Sequence, residues 1–348
     1  MAQDQPEIGV LLWQIVSPFL ILVGTFGNVL SIAILNQKRF QKQPSTTLLL
    51  GLSVADLCML YVGLLRQWVK YVFAVDFRDI SEITCKIHGW LIYVIADCTV
   101  WILVAVTTER IIVTLRPFSS KRICTKNLSI ISLITIVISA MVINLHVLIG
   151  YELTENAISN LTNTTVICGA RAGAYENFFD NIWSWIDLCK FSIIPFIVLS
   201  SGNICIVYKL MQSKKRVSSQ ITPGTTQNAN QNNKTSSLTL LLLTLNAVFI
   251  VCTLPICIYL IGRPYWLPKD HPDDLRLKDP WWAVVNLLMY TNNTCNFLLY
   301  CLMGSRFRDE AKNIMNTLRT SIFRVKLART QTGSESPTIA HRHSLTEF

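Results

Sequence analysis

The sequence predicts an all-α membrane protein: a bundle of seven transmembrane helices followed by a cytoplasmic amphipathic eighth helix. Three observations carry that reading. First, 51% of the 348 residues are hydrophobic and only 15% are charged, against about 25% charged in a soluble domain. Second, the apolar residues gather into seven runs: Leu11–Leu35, Thr46–Val72, Lys86–Leu115, Leu128–Tyr151, Ile182–Met211, Ser237–Gly262 and Trp281–Met303. Each approaches the ~20 residues that cross a bilayer, and hydrocarbon tolerates such segments only as helices or closed barrels. Third, charge alternates between the links. Lys38, Arg39 and Lys42 follow the first run, Arg116, Lys121 and Arg122 the third, Lys214, Lys215 and Arg216 the fifth, and Arg306, Arg308 and Lys312 the seventh. Acids occupy the opposite links, with Asp76, Asp79 and Glu82, then Glu152, Glu155 and Glu176, then Asp270, Asp273, Asp274 and Asp279. By the positive-inside rule the N-terminus is extracellular and the C-terminus cytoplasmic, in a multi-pass plasma-membrane protein. The formal charge of +10 therefore reports topology and does not point to nucleic acid.

Residues 1–10 lack a basic start and a small-residue cleavage site, so the first run reads as an anchor helix retained in the chain. The second run carries one acid, Asp56. The third starts beside Cys85 and closes on the adjacent charges Glu109 and Arg110, which are expensive at the end of an apolar segment unless they have a role. Between the fourth and fifth runs lie Cys168 and two exposed glycosylation sequons, at Asn160 and Asn163. The sequons at Asn127, Asn233 and Asn292 fall inside or within a helix and are expected to stay bare. Of the eleven cysteines only Cys85 and Cys168 fall outside, so an oxidising exterior implies a disulfide between them, with two unpaired thiols as the alternative.

The inner link Ser213–Ser236 is rich in Gln, Asn, Ser and Thr and reads as poor in structure. The bundle occupies 11–303. Over 304–322, Phe307, Ile314, Leu318 and Ile322 fall near one helical face with basic residues elsewhere, the pattern of a helix lying on membrane lipid. A disordered cytoplasmic tail, 323–348, offers hydroxyls to kinases. Its end, Thr346-Glu347-Phe348, has the form of a PDZ-groove ligand, a match short enough to arise by chance.

Several residues, taken in order, resemble the rhodopsin-like G-protein-coupled receptors. They are Gly27-Asn28, Asp56 in "LSVADL", Cys85 leading to Arg110 in "ERI", Pro195, Pro255 in "CTLP", and Asn296 to Tyr300 in "NFLLY". The resemblance spans about Leu11 to Leu318. Departures are Glu109-Arg110-Ile111 for Asp-Arg-Tyr, no tryptophan in the fourth run, Thr253 for an aromatic toggle, and Phe297 for the seventh-helix proline. Losing that proline restores a backbone donor and removes a usual cause of kinking. Such substitutions resemble invertebrate neuropeptide receptors of the FMRFamide and sex-peptide type.

The resemblance implies that Arg110, with Glu109, Asn296 and Tyr300, forms the switch that couples to a heterotrimeric G protein, and that arrestin and kinases act on the tail. Residues 224–260 contain no acid, leaving Glu109 as the one acidic latch for Arg110, though adjacent helical residues do not face each other. The alternative is an interfacial pair that snorkels to water. Asp56, Thr99, Asn292, Asn293 and Asn296, with Asn28, gather oxygens around one carboxylate, which suits a small hard cation or a proton. By resemblance this is an allosteric sodium pocket; interhelical hydrogen bonding alone is the other reading. No other cofactor or metal is expected.

Toward the outside, Tyr93 and Asp97 share a helical face, while Asp187 and Lys190 are spaced to pair. With Arg66, Tyr259, Arg263, Trp282, Asn286 and Tyr290 they give a wide, mixed-sign, aromatic lining, which fits an extracellular peptide. The structural alternative is a closed Asp97–Lys190 ion pair joining two helices. Ile92 stands where amine receptors carry an aspartate, so a biogenic amine is not expected. A lipid or small chemosensory ligand is the runner-up. An opsin would need a lysine within Trp281–Met303, which has none; internal repeats of a transporter and motifs of an enzyme are absent as well.

Overall fold

The computed structural model of the chain describes residues 8–41, 44–157, 164–218, 244, 247–262, 279–303, 307–314, 316 and 320. Among them seven long or apolar helices follow one another: α1 (Ile8–Leu35), α2 (Ser45–Phe73), α3 (Glu82–Leu115), α4 (Lys126–Gly150), α5 (Ala174–Lys209), α6 (Ala247–Gly262) and α7 (Pro280–Met303). Helices α1 to α5 are long and apolar enough to cross a membrane. Helix α7 has the length, but Asn286, Asn292, Asn293 and Asn296 dilute its apolar character. Asn160, Asn163 and Arg263, the side chain of Tyr300 and most of the expected inner link and tail lie outside the described residues. Residues 307–314 are helical, and Phe307 is buried with its ring 6.2 Å from Phe297.

α1 shows how the sequence sorts lipid from core. Ile15, Phe19, Leu22 and Phe26 recur at helical spacing and are exposed, as apolar side chains facing hydrocarbon should be. Trp13, Ser17, Leu20, Asn28 and Ser31 recur on the opposite face and are buried. Small residues let the helices close in: a Cβ on Gly27 would lie 2.7 Å from Cβ of Phe297. α3 is the most buried of the spans and α4 the most peripheral. One core cluster joins Leu30, Leu48, Val106 and Phe249. A second joins Trp13, Leu60, Leu64 and Tyr290.

Ends of helices differ from the apolar runs for a physical reason. α5 starts at Ala174, not Ile182, because its first turns, "AYENFFDN", mix aromatic with polar residues and continue the helix past the apolar stretch. α3 starts at Glu82, where Ser81 and Thr84 exchange hydrogen bonds with each other's backbone N–H groups in a capping box. Wide π-type turns occur at Met59–Leu64 in α2 and at Phe179–Trp183 and Cys189–Ile193 in α5, a feature that often marks functional sites.

The link between α4 and α5 is not a plain loop. β1 (Tyr151–Ala157) pairs antiparallel with β2 (Thr164–Ala170). The expected disulfide is present, joining Cys85 at the start of α3 to Cys168 on β2. The backbone N–H of Cys168 also donates to Asp79 Oδ1 at 2.9 Å. The hairpin is thereby fastened to the link between α2 and α3.

Candidate functional site

At the end of the bundle opposite the disulfide, Glu109 is buried and accepts a hydrogen bond from the Ser45 hydroxyl of α2. Its other oxygen has no hydrogen-bond partner among the described residues. Arg110 is half-buried and makes no ion pair there. Glu109 thus takes its hydrogen bond from Ser45, while its charge remains within electrostatic reach of Arg110. The cause is geometric: adjacent residues diverge around the helix, and the first turn of α2 presents a hydroxyl to the carboxylate. The short helix Pro117–Ile123 follows α3, and its Phe118 is 95% exposed.

In mid-membrane, Asp56 is fully buried. Asn293 Nδ2 donates to its Oδ1 at 2.8 Å and Asn296 Nδ2 to its Oδ2 at 2.6 Å. Asn28 extends the network by donating to the Asn293 carbonyl at 3.0 Å. Three helices, α1, α2 and α7, are thus tied by one carboxylate and three amides. Thr99 and Asn292 are buried too, but the Thr99 hydroxyl donates to its own helix at Ala96. Asn28 Oδ1 is buried without a donor among the described residues. A lone buried oxygen beside a carboxylate network suits a hard cation or a water.

Toward the disulfide end, Lys190 Nζ lies 2.7 Å from both Asp97 oxygens and 2.7 Å from Asp187 Oδ1. Asn144 of α4 donates to Asp97 Oδ2 at 2.7 Å. Rings of Trp183 and Tyr93 flank the ammonium, their centroids 5.2 and 5.9 Å away, at cation–π range. The closed ion pair is the arrangement present, and it joins α3, α4 and α5. Lys190 sits within the wide turn Cys189–Ile193 and Asp187 just before it.

Arg66 makes a second cluster. Its Nε donates to Asp76 Oδ1 at 2.8 Å and its NH2 bonds the other oxygen. Lys70 and Arg78 reach the same Oδ2 at 3.3 and 3.4 Å. Burial alone would push the Asp76 carboxyl up; the hydrogen bond and charge of Arg66, with Arg78 and Lys70, outweigh it and hold Asp76 well below the usual carboxylate range. Arg66 follows the wide turn of α2, where Gly63 leaves room for Tyr290: a Cβ there would lie 2.7 Å from the tyrosine oxygen. Tyr290 is buried, Tyr259 bonds Asp279 and stands 5.7 Å from the Trp282 ring, and Asn286 donates to the Trp282 carbonyl. Among the predicted lining residues, then, Tyr93, Asp97, Asp187 and Lys190 form one group and Tyr259 and Trp282 another, while Arg66 belongs with Asp76.

Four contributors were not singled out from the sequence: Ser45, Asn144, Asp76 and Phe118. Signals existed for two. A lone asparagine in the apolar fourth run needs a partner, and an aromatic inside a basic link has no lipid to meet.

The sequence matches the description "7 transmembrane receptor (rhodopsin family)" over residues 27–300. The chain belongs to the rhodopsin family of seven-transmembrane receptors. As a member of that family it is a multi-pass membrane receptor. It is 24% identical to the galanin-like G-protein coupled receptor npr-9 of Caenorhabditis elegans, over 91% of this chain and 76% of the relative. It is 22% identical to the tachykinin-like peptides receptor 99D of Drosophila melanogaster, over 86% of this chain but only 56% of that protein. It is also 22% identical to the allatostatin-A receptor of Bombyx mori, over 85% and 77% respectively.

Proposed function

We propose that this rhodopsin-family receptor binds an extracellular peptide at its disulfide end and activates a heterotrimeric G protein at its Arg110 end. One observation carries the ligand class: three relatives that align along most of this chain are each named for a peptide, from galanin-like to tachykinin-like and allatostatin-A. The charged clusters at Lys190 and Arg66 support it, because such groups suit a polar ligand better than a lipid. A ligand that prefers the state with the Arg110 end opened shifts the receptor toward it by its difference in affinity. Exposed Phe118, on the short helix that follows α3, supports a protein contact at the Arg110 end, since aromatic and arginine residues are the usual anchors of interfaces.

Asp56, with Asn28, Thr99, Asn292, Asn293 and Asn296, would hold a sodium ion; the ion would supply positive charge opposite the buried carboxylate. Arrestin and kinases at the tail, lipid along 304–322 and glycans at Asn160 and Asn163 complete the proposal.

The test is ligand screening in cells. Amidated peptide pools should raise calcium or change cyclic AMP, while a hydrophobic-ligand library stays silent. The reverse result would favour the lipid or chemosensory reading. Tags on the two termini should label from opposite sides of the intact cell.

A further inference from the structure

The charged clusters of the disulfide end differ in balance. Around Lys190 two carboxylates face one ammonium, and Asn144 gives Asp97 an additional donor. Around Asp76 the ratio reverses: Arg66, Lys70 and Arg78 converge on one carboxylate, and no other acid among the described residues lies within ion-pair distance of them. Three cations on one acid leave a surplus of two positive charges among the described residues; the Arg66–Asp76 pair is buried, while the Lys70 and Arg78 side chains are 24% and 23% exposed. Surplus positive charge beside a buried pair favours an anion that completes it.

The donors divide in the same way. Arg66 uses its planar fork on both Asp76 oxygens. Arg78 donates its backbone N–H to Asp76 Oδ1 at 3.1 Å, yet its side-chain Nε is buried with no partner among the described residues. Lys70 is about as open as Arg78. His88 donates through Nε2 to the Val62 carbonyl at 2.8 Å, so its buried Nδ1 is an acceptor and adds no donor to the cluster. The spare donor of Arg78 and the surplus positive charge therefore coincide. Arg66 is buried and lies one turn past Gly63, which meets Tyr290 of α7, so the cluster adjoins the interior of the bundle.

We propose that Lys70 and Arg78, backed by the Arg66–Asp76 pair, form a subsite for an acidic group, a carboxylate or sulfate, carried by the ligand. Charge-assisted bonds of this kind are about twice as strong as neutral ones. Lys190 already fills the cation site between Asp97 and Asp187, so the acidic end of the ligand and not its basic end gains most from entering here. This rests on the peptide reading for the source of the acid, but not for the site itself.

The experiment uses the full receptor in phosphatidylcholine nanodiscs, which contain no anionic lipid, and the double variant Lys70→Gln/Arg78→Gln, which keeps the Arg66–Asp76 pair. Replacing chloride by sulfate at matched ionic strength should raise the melting temperature of the wild type more than that of the variant. An equal rise overturns the subsite, because general salt exclusion acts on both proteins alike. In cells, two randomised amidated peptide libraries are compared, one with Asp, Glu or sulfotyrosine at a fixed position and one with Asn or Gln there. The acidic library should be the active one and should lose about tenfold in potency on the variant, about 1.4 kcal/mol. Equal activity of the neutral library overturns the inference and leaves the peptide reading standing. Silence of both libraries overturns the peptide reading, and the sulfate comparison then decides the subsite alone.

Discussion

Lys190 of α5 holds both carboxylate oxygens of Asp97 on α3, at 2.7 Å each. Asp187 shares the same ammonium, so the lysine compensates the buried Asp97 and the half-buried Asp187 at once. Removing it by Lys190→Met should cost about 3–5 kcal/mol, because both acids are left uncompensated. Adding Asp97→Asn and Asp187→Asn should recover most of that loss. Thermal unfolding in detergent measures it; a single variant as stable as wild type would show that the cluster is solvated and of little weight.

Asp56→Asn should abolish the stabilisation of the purified receptor by sodium over choline at equal ionic strength. The amide still accepts from one of Asn293 and Asn296, the other having to turn its own oxygen inward, and removes the negative charge that a cation needs. A sodium effect of unchanged size would leave hydrogen bonding as the whole role of the network.

At the Arg110 end, Arg110→Ala should eliminate G-protein activation while surface expression stays near wild type. Phe118→Ala should reduce activation about tenfold or more, the effect of truncating an interface anchor, with no loss of thermal stability, since the ring is 95% exposed. Nucleotide exchange on the G protein reads both. Full exchange by either variant would remove that residue from the interface.

Asp76 gives a pH dependence with a fixed sign. Its folded-state carboxyl lies below its unfolded value, so the stability it contributes is fully present above the ordinary carboxylate range. That contribution falls as pH drops from about 4 toward the folded value. Wild type should therefore lose more stability between pH 5 and roughly pH 3 than Asp76→Asn does. Parallel curves would assign the acid lability elsewhere.

Much of this was legible because a membrane simplifies the code. An apolar run of sufficient length must be a helix, so the spans fell where the runs lie. Charge alternation likewise singled out Cys85 and Cys168, which are bonded. Pairing was readable where spacing was local, as for Asp187 and Lys190. Distant partners were readable only where a cysteine pair or a charge match named them, as for Cys85–Cys168 and Asp97–Lys190. Asp76 read as one acid of a link, and nothing in the sequence assigned it to Arg66 ten residues earlier. The Ser45 hydroxyl lies 64 residues from Glu109, too far for any helical periodicity to connect them. The β1–β2 hairpin and the wide turns were invisible because no glycine or proline pattern announces them.

The wide turns of α2 and α5 bear on how this receptor can be compared with its relatives. Each adds one residue to a turn, which amounts to about 100° of azimuth around the helix axis. Where a relative winds regularly through the same stretch, a gapless alignment slips out of phase beyond it: a residue matched to Arg66 or Lys190 by counting would point at a different neighbour. At 22–24% identity, correspondences across those two stretches are safer made in space than along the string.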